Sequence, residues 1–444
     1  MSVIGMNAVD NIAGWVLVAA SFLGYYWLLP KPFRQPGLVI VGALVLVAHH
    51  VLSYFNIANG PLVFAKYDAW GFHLFAEKFA GQSDQLQWAI GTPMYKSLLL
   101  VLYDSLGRSQ WLGQSFSILC FAISMAVLLR IARRLDINNM VILAALLLVY
   151  GLSPSGLIYG SIMLREPIMT LAFMVGCGII ISAFDRRDPY CLVLAALCWL
   201  VMGLFHQVMM VFALALSIIS FAMYVGMVAR RAPQEHTVPG EKSRFAVSGG
   251  KLILVLGGFV AIAVTVIFWW LPSTGGDDYF AMFFDSIPRS IALYRGAGES
   301  SLPTTAYNAV FEFDNWWKTI VSLTLSYFYY IGWPLGGDYS WLGTWALMVG
   351  GVMRLTALLV VPWVRHHWIW AGLVVYFAMT LIWNIGTTNH GQALRHHMMT
   401  DWLLLLVLAN FSQFWWQRAR STKPQQMELK QKEKTSATRL GNQP

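Results

Sequence analysis

The chain has 444 residues, of which 57% are hydrophobic and 11% are charged. A soluble globular protein carries about 25% charged residues, so this composition excludes that class and indicates a polytopic membrane protein. The formal net charge of +9 would be typical of nucleic-acid binding in a soluble chain. Here, however, Lys and Arg stand in short clusters between apolar runs, as in cytoplasmic loops. We therefore interpret the charge as a topology signal and expect no nucleic-acid partner.

The cysteines and the N-terminus add little to this picture. The four cysteines lie inside apolar runs and show no spacing typical of metal ligands. They are Cys120, Cys177, Cys191 and Cys198. No cleavable signal peptide is predicted, because the first apolar run starts near Ile12, lacks a basic flank and is long enough to span a membrane.

The first two predicted spans, residues 12–29 and 38–58, are joined by a short basic loop. By the positive-inside rule this loop is cytoplasmic, and the N-terminus is external. The next connection, about residues 59–110, is then external. Within it, residues 64–79 carry aromatic and charged side chains at helical spacing, which predicts an amphipathic helix at the membrane interface. The apolar run at 98–106 is too short to cross and predicts a half-helix.

The third predicted span, residues 111–129, ends on a cluster of arginines and therefore in the cytoplasm. The fourth, residues 140–164, breaks at a Ser-Pro step and leads to an external helix start. Pro167 suits the first turn of the helix that follows. Arg165 and Glu166 are therefore expected on the external side.

Three more spans are predicted at residues 168–184, 191–205 and 208–228. The turn between the last two contains His206 and Gln207, on the same membrane face as Arg165. The polar, basic segment at 230–251 is predicted to be a cytoplasmic linker between two halves of the bundle.

The region after the linker leaves two topologies open. An eighth span at residues 252–271 is followed by a long external segment, 272–318, which is typical of a lid or substrate loop. If the next apolar run, 320–333, crosses the membrane, the basic C-terminal tail lies outside, against the charge rule. If that run is re-entrant or interfacial, the tail lies inside, and we favour this second topology.

The last spans are then predicted at residues 341–361, 368–383 and 398–416. This gives about eleven crossings at roughly 20 residues each. The fold class expected is an all-α polytopic bundle, with residues 1–416 as one transmembrane catalytic domain. Residues 417–444 are polar and basic, and a disordered cytoplasmic tail is predicted for them.

A dense polar cluster, residues 386–397, lies between the last two predicted spans and contains three His, one Arg, one Asn and two Thr. Uncompensated polar groups are costly near hydrocarbon, so such a cluster is typical of a functional site. On the favoured topology it faces the exterior together with polar residues of earlier loops. These are Asp68, His73, Lys96, Arg165, Glu166, His206, Asp277 and Asp278.

These residue types point to phosphate recognition and proton transfer. Arg165 and Arg395 are predicted to hold a phosphate or pyrophosphate through bidentate hydrogen bonds, which favour Arg over Lys. A histidine is a candidate general base toward an acceptor hydroxyl, since imidazole titrates near neutral pH. The histidine candidates are His206, His390, His396 and His397. Asp68 and Glu166 are candidates for the same role or for orienting a histidine. Further substrate-binding candidates are His73, Asn389 and His390.

Several of these residues have a structural alternative. Asp68 can anchor an interfacial helix, and Arg165 with Glu166 can form a self-compensating pair. His206 can satisfy a backbone carbonyl in a tight turn. Of the consecutive His396 and His397, at most one is expected to face the site.

Two other polar positions lie inside predicted spans, and we interpret both as structural. Arg354 needs a partner inside the bundle. His49 and His50, adjacent in the second span, are expected to form packing or hydrogen-bonding contacts and not a metal site.

The order of these motifs resembles that of bacterial polytopic glycan-assembly proteins. The motifs are Tyr67-Asp68-Ala69-Trp70-Gly71-Phe72-His73, then Pro154-Ser155 followed by Leu164-Arg165-Glu166-Pro167, and finally Asn389-His390-Gly391-Gln392-Ala393-Leu394-Arg395-His396-His397. Over most of its length the chain resembles membrane glycosyltransferases of the GT-C type and the exopolysaccharide or O-antigen (Wzy-type) polymerases.

The resemblance implies a GT-C-like bundle and an external reaction on an undecaprenyl-linked donor. It implies that Arg165 and Arg395 recognise pyrophosphate, while a histidine or carboxylate activates the acceptor. One departure is that Ala69 follows Asp68, where GT-C enzymes commonly carry paired acidic residues. This departure weighs against Asp68 as the base and favours the polymerase.

The predicted function is therefore polymerisation of undecaprenyl-pyrophosphate-linked repeat units into exopolysaccharide or O-antigen-like glycan at the external face of the bacterial inner membrane. The alternatives are a GT-C transferase that uses a polyprenyl-phosphate sugar, and a flippase or transporter, which typically shows internal repeats. No metal or other cofactor is expected, because two arginines can offset the pyrophosphate charge. The expected partners are the lipid-linked glycan, the bilayer, and a chain-length-regulating or export protein.

Overall fold

A computed structural model describes residues 11–62, 68–231, 316–331, 341–364, 366–387 and 390–440. These ranges are all-helical. The helices are α1 (Ile12–Leu28), α2 (Pro36–Ala58), α3 (Asp68–Phe79), α4 (Thr92–Leu106), α5 (Gln110–Arg134), α6 (Met140–Leu152), α7 (Pro154–Ser161), α8 (Glu166–Arg186), α9 (Tyr190–Leu204), α10 (Gln207–Arg231), α11 (Trp316–Ile331), α12 (Trp341–Leu359), α13 (His367–Gly386), α14 (His390–His397) and α15 (Asp401–Leu440). The predicted eighth span, and almost all of the linker before it and the loop after it, lie outside the described residues.

Helix length and apolarity support a membrane protein. Within the described ranges five helices are long and apolar enough to cross a membrane: α2, α5, α8, α10 through Val228, and α13 through Ile385. The bent pair of α6 and α7 makes a sixth if the two helices form one span. Shorter apolar helices are α1, α9 and Thr344–Leu359 of α12. The larger number of about eleven crossings stays a prediction.

The predicted break in the fourth span is confirmed. The helix stops after Leu152 and restarts at Pro154, and the two axes are bent by 58°. Pro154 occupies the first turn of α7, where its missing N–H costs nothing. The N–H of Gly156 donates to Ser153 Oγ at 3.2 Å, which caps the new helix. This break aims the start of α7 into the bundle.

Helix α5 lies at the centre of the bundle. It packs against α1, α2 and α8, and α9 in turn packs between α8 and α10. Of the apolar window of α5, 72% is buried, against 39% for α2 and for α13. The large apolar side chains that α2 and α13 expose, such as Leu44 and Val374, therefore suit contact with lipid.

Three helix ends bring the predicted site residues into position. The amphipathic helix predicted at residues 64–79 is present as α3, which begins at Asp68. It packs on α4, and α4 begins earlier than the predicted half-helix. Glu166 and Pro167 lie in the first turn of α8, as the position of the proline predicts. Arg395 lies in the last turn of α14.

One long helix forms the C-terminal end of the described chain. Helix α15 begins at Asp401 and extends to Leu440. Residues 417–440 contain four Gln, four Lys and three Arg, which are good helix formers, with Pro424 among them. The disordered cytoplasmic tail stays a prediction.

Candidate functional site

Arg395 joins three distant parts of the chain. Its Nε donates to Glu166 Oε1 at 2.5 Å, and its Nη1 donates to the Asp68 carboxylate. Arg395 is 9% exposed and Glu166 only 1%, whereas the side chain of Asp68 is 57% exposed. Two charge-assisted hydrogen bonds thus compensate a guanidinium that is largely removed from water. Residues predicted as site candidates from separate loops lie in one cluster.

Arg165 extends this cluster on the other side of Glu166. Its Nε lies 3.7 Å from Glu166 Oε1, farther than the Nε of Arg395. Its Nη1 donates to Thr92 Oγ1 and to the carbonyl oxygen of Phe205, each at 3.1 Å. The self-compensating pair of Arg165 and Glu166 is therefore the weaker interaction. Arg165 ties the start of α8 to α4 and to the turn between α9 and α10.

The dipoles of α8 and α14 stabilise the charges of Glu166 and Arg395. A carboxylate in the first turn of a helix is stabilised by the positive end of the helix dipole, and Glu166 occupies that place in α8. A guanidinium in the last turn is stabilised by the negative end, and Arg395 occupies that place in α14. Among the described residues, Glu166 Oε2 finds no hydrogen-bond partner. The cluster therefore keeps one buried acceptor atom that is not engaged.

The charges of the cluster balance one another. Partial burial raises the pKa of Asp68, but the Arg395 guanidinium lowers it more, so this pKa lies below its ordinary value. Burial lowers the pKa of Arg395, but Glu166 and Asp68 raise it more, so this pKa lies above its ordinary value. Asp68 and Arg395 are therefore both ionised at neutral pH. With Asp68 in place, two guanidinium groups face two carboxyl groups.

Two histidines border the arginines and share one tryptophan. The ring of His206 lies edge-on to Trp383 at 4.6 Å, and the ring of His396 stacks on Trp383 at 3.8 Å. His396 Nδ1 lies 3.0 Å from Thr387 Oγ1. Burial, and then the positive charge of nearby arginines, lowers the pKa of both histidines well below the usual range. Both imidazoles are therefore neutral at pH 7.

His397 points away from this cluster. Its Nε2 lies 2.6 Å from the carbonyl oxygen of Tyr330, and its Nδ1 lies 3.8 Å from Asp401 Oδ1. Of the two consecutive histidines, His396 thus lies beside the arginines, and His397 lies beside a different carboxylate. The structure does not bring His397 to the arginine cluster where the sequence placed it, because consecutive side chains diverge on a helix.

His73 and Lys96 have partners elsewhere. His73 Nδ1 lies 3.1 Å from the Tyr103 hydroxyl, and its Nε2 lies 3.6 Å from Glu77. The Lys96 ammonium lies over the ring of Phe75 at 4.5 Å. These contacts join α3 to α4. His73 and Lys96 therefore support the helix that carries Asp68.

Four other predicted positions have side chains outside the described part of the chain. Asn389, Asp277 and Asp278 lie outside the described residues, and so does the side chain of His390.

A second buried ion pair contains a residue that the sequence analysis missed. Arg354 donates from Nε to Asp401 Oδ1 at 2.8 Å and from Nη2 to Oδ2 at 3.0 Å. Ser155 Oγ donates to the same Oδ2 at 2.8 Å. The partner predicted for Arg354 inside the bundle is therefore Asp401. The signal that could have found it is an acidic residue at the head of a long apolar run, because a charge there needs a partner.

An apolar groove lies between α11 and α13 and has a volume of about 430 Å³. Leu323, Tyr327 and Phe377 line it, together with Leu381. One turn beyond Leu381 on α13, Asn384 Nδ2 donates to the carbonyl oxygen of Leu323 at 3.0 Å. Thr387, the residue that follows α13, contacts His396 of the cluster.

Comparisons with models of protein families, with curated proteins and with solved structures find no match to this chain.

Proposed function

We propose that this protein is a polymerase of lipid-linked glycans in the bacterial inner membrane. It transfers a growing glycan from undecaprenyl pyrophosphate onto the non-reducing end of a new lipid-linked repeat unit at the external face. The observation that carries the proposal is the meeting of Asp68, Arg165, Glu166 and Arg395 beside two neutral histidines. These groups can bind a phosphate and receive a proton within one cluster.

The arginines suit the leaving group of this reaction. The acceptor hydroxyl oxygen forms a bond to the anomeric carbon of the donor, and the bond from that carbon to the pyrophosphate oxygen breaks. Negative charge then grows on the pyrophosphate, and guanidinium groups stabilise such charge most strongly where water is excluded. Arg395 is mostly buried, and Arg165 is close enough to share Glu166 with it. Both arginines are therefore assigned to pyrophosphate recognition.

The proton of the acceptor hydroxyl goes to a base, for which His206 and His396 are the candidates. Both are neutral and so have a nitrogen lone pair, although nearby positive charge makes them weak bases without substrate. A bound pyrophosphate offsets the charge of Arg165 and Arg395 and raises the proton affinity of both imidazoles. Asp68 is a weaker candidate, since its carboxylate is bound to Arg395.

The groove between α11 and α13 fits the isoprenoid tail of the same substrate. Its lining is almost entirely apolar, and Phe328 and Leu381 are exposed on its outer side. Leu381 lies five residues before Gly386, the last residue of α13, a rise of about 8 Å along a helix, and Thr387 follows directly. A tail in the groove would thus reach a headgroup beside His396.

Substitution of Arg395 tests the proposal. In cells that make the polymer, Arg395→Ala is expected to abolish the polymer while single lipid-linked repeats accumulate, because the leaving group loses its main buried cation. Arg420→Ala removes an exposed arginine and is the matched control, with normal polymer expected. Lipid extraction followed by mass spectrometry measures both products. Persistence of polymer in Arg395→Ala, at normal protein levels, would contradict the assignment.

Transport of a lipid-linked glycan is a second candidate, and one observation favours it. The bent pair of α6 and α7 faces the buried pair of Arg354 and Asp401, and broken helices with buried charges are typical of transporters. The lipid that accumulates in a strain lacking the protein separates the two. Repeat units exposed on the external leaflet favour the polymerase, whereas repeat units confined to the cytoplasmic leaflet favour transport.

The reaction product distinguishes the polymerase from a GT-C transferase that uses a polyprenyl-phosphate sugar donor. Purified protein supplied with that donor would add a single sugar, whereas the polymerase extends the chain by whole repeat units. The number of sugars added per transfer, read by mass spectrometry, decides between them.

A further inference from the structure

We propose that Asp68 is a displaceable carboxylate that occupies Arg395 until a phosphate-bearing headgroup replaces it. The inference rests on the proposed function, because it takes the cluster as a headgroup site. It adds that the site without substrate is closed by a side chain of the protein itself. The observations that carry it are the unequal burial of the two carboxylates on Arg395 and the way in which α3 is held.

The two carboxylates bound to Arg395 differ in how easily they can leave. Glu166 is 1% exposed and lies between two guanidinium groups, so its removal would leave buried charges without a counter-charge. The side chain of Asp68 is 57% exposed and regains water when it moves away. Of the two, Asp68 is therefore the one that an incoming anion replaces.

Helix α3 does not depend on Asp68 for its place. It is held on α4 by the edge-on contact of Phe72 with Tyr95 at 4.9 Å, and by the contact of His73 with Tyr103 at 3.1 Å. Ala69 and Ala76 are buried in the same face. Release of Arg395 thus requires only a new rotamer of one side chain at the first residue of α3.

A phosphate matches what Asp68 presents. Both a carboxylate and a phosphate offer paired oxygens to the forked donors of a guanidinium. When Asp68 leaves, Arg165 and Arg395 face Glu166 alone, and the cluster has a net positive charge. An anionic headgroup restores the balance that Asp68 provided. The unengaged Glu166 Oε2 remains as an acceptor for a donor group of the ligand.

The experiment measures binding of polyprenyl pyrophosphate to the full-length protein in lipid nanodiscs. Asp68→Asn removes the competing charge and keeps the shape of the side chain. It is expected to bind the lipid about tenfold more tightly than the wild type, since a hydrogen bond to a charged group no longer competes. Glu77→Gln neutralises another half-exposed carboxylate on the same helix and is expected to bind like the wild type. Inorganic pyrophosphate, which has no tail, is expected to show the same gain for Asp68→Asn.

The outcomes separate this inference from the function on which it rests. Equal or weaker binding by Asp68→Asn, together with loss of binding in Arg395→Ala, overturns the displacement and leaves the headgroup site standing. No saturable binding by wild type or variant overturns both. Asp68→Ser is the second variant in case the amide still holds Arg395, and thermal unfolding of each variant checks that it is folded. A gain in Glu77→Gln equal to that in Asp68→Asn points to general charge and also overturns the inference.

Discussion

Glu166 lies at the first turn of α8 between the guanidinium groups of Arg165 and Arg395. It is the least exposed charge of the cluster, and no other buried carboxylate is described beside either arginine. Water cannot replace a counter-charge at such depth, so the pair is costly to break although it adds little to stability when intact. The ion pairs therefore favour this packing of the helix ends over alternative packings, and they contribute little to the free energy of unfolding.

The first prediction concerns neutralisation of this residue. Glu166→Gln is expected to lower the free energy of unfolding by about 3–5 kcal/mol, because Arg395 loses its buried carboxylate. Asp185→Asn breaks the half-exposed pair with Arg134 and is expected to cost at most about 1 kcal/mol. Thermal or denaturant unfolding in the same detergent compares the two. Equal losses in both variants would contradict the role assigned to Glu166.

The second prediction concerns pH. His396 has a lower pKa in the folded than in the unfolded chain, so the unfolded chain binds more protons as the pH falls. Stability should be full above the ordinary histidine pKa of about 6.5 and should fall as the pH decreases below it. His396→Gln is expected to fall less steeply between pH 7 and pH 5, as measured by thermal unfolding. An unchanged slope would show that the ring of His396 is protonated in the folded protein.

Individual residues also show how far the sequence could predict the site. Arg165, Glu166 and Arg395 were predicted as candidates because each is a charge at the boundary of an apolar run, and Asp68 because it is a charge in an external amphipathic segment. The pairing of these charges could not be predicted, because the sequence of a loop does not indicate which other loops lie next to it in space. Asp401 was missed because a single acidic residue at a helix start is ordinary at a membrane surface.

At the scale of elements, four helices meet at one buried ion pair. Arg354 belongs to α12, Asp401 begins α15, and Ser155 lies in the first turn of α7. Arg354 also donates from Nη1 to the carbonyl oxygen of Ile331 at the end of α11, at 2.9 Å. The break at Ser153 directs α7 toward Asp401, so the bend and the ion pair support one another. A Ser-Pro step predicts such a bend, but the sequence does not indicate what the new helix faces.

The third prediction is a double-mutant cycle on this pair. Asp401→Leu and Arg354→Met alone are each expected to lower the free energy of unfolding by about 3–5 kcal/mol, because each leaves a buried charge unpaired. The combined variant Arg354→Met with Asp401→Leu is expected to recover most of that loss, since no charge remains to be compensated. Unfolding of the three variants in detergent measures the coupling. Additive losses would contradict a direct interaction.

For the whole molecule, composition alone predicted the class, because 11% charged residues cannot cover a soluble fold. The number of crossings was harder to predict. Apolar helices of 10–17 residues, such as α1 and α9, reach far into a bilayer but are shorter than the roughly 20 residues of a typical spanning helix. Their length alone therefore does not decide whether they cross. The charge rule favours an external N-terminus and a cytoplasmic C-terminus, and those orientations stay predictions.

The fourth prediction tests this orientation. In a background in which the four cysteines are replaced by alanine, Asp84→Cys lies in the exposed loop between α3 and α4. It is expected to react with a membrane-impermeant maleimide in spheroplasts. Arg420→Cys, exposed on α15, is expected to react only after permeabilisation. Labelling of both positions from outside would place the last helix in the opposite orientation.

The distance along the chain between Glu166 and Arg395 has a consequence for biosynthesis. These partners are 229 residues apart, so at about 5–20 residues per second the ribosome needs roughly ten to fifty seconds to deliver the arginine after the glutamate has emerged. During that interval Glu166 has only the adjacent Arg165 as a charge partner. Chains truncated before α14 are therefore expected to be less stable than the full chain.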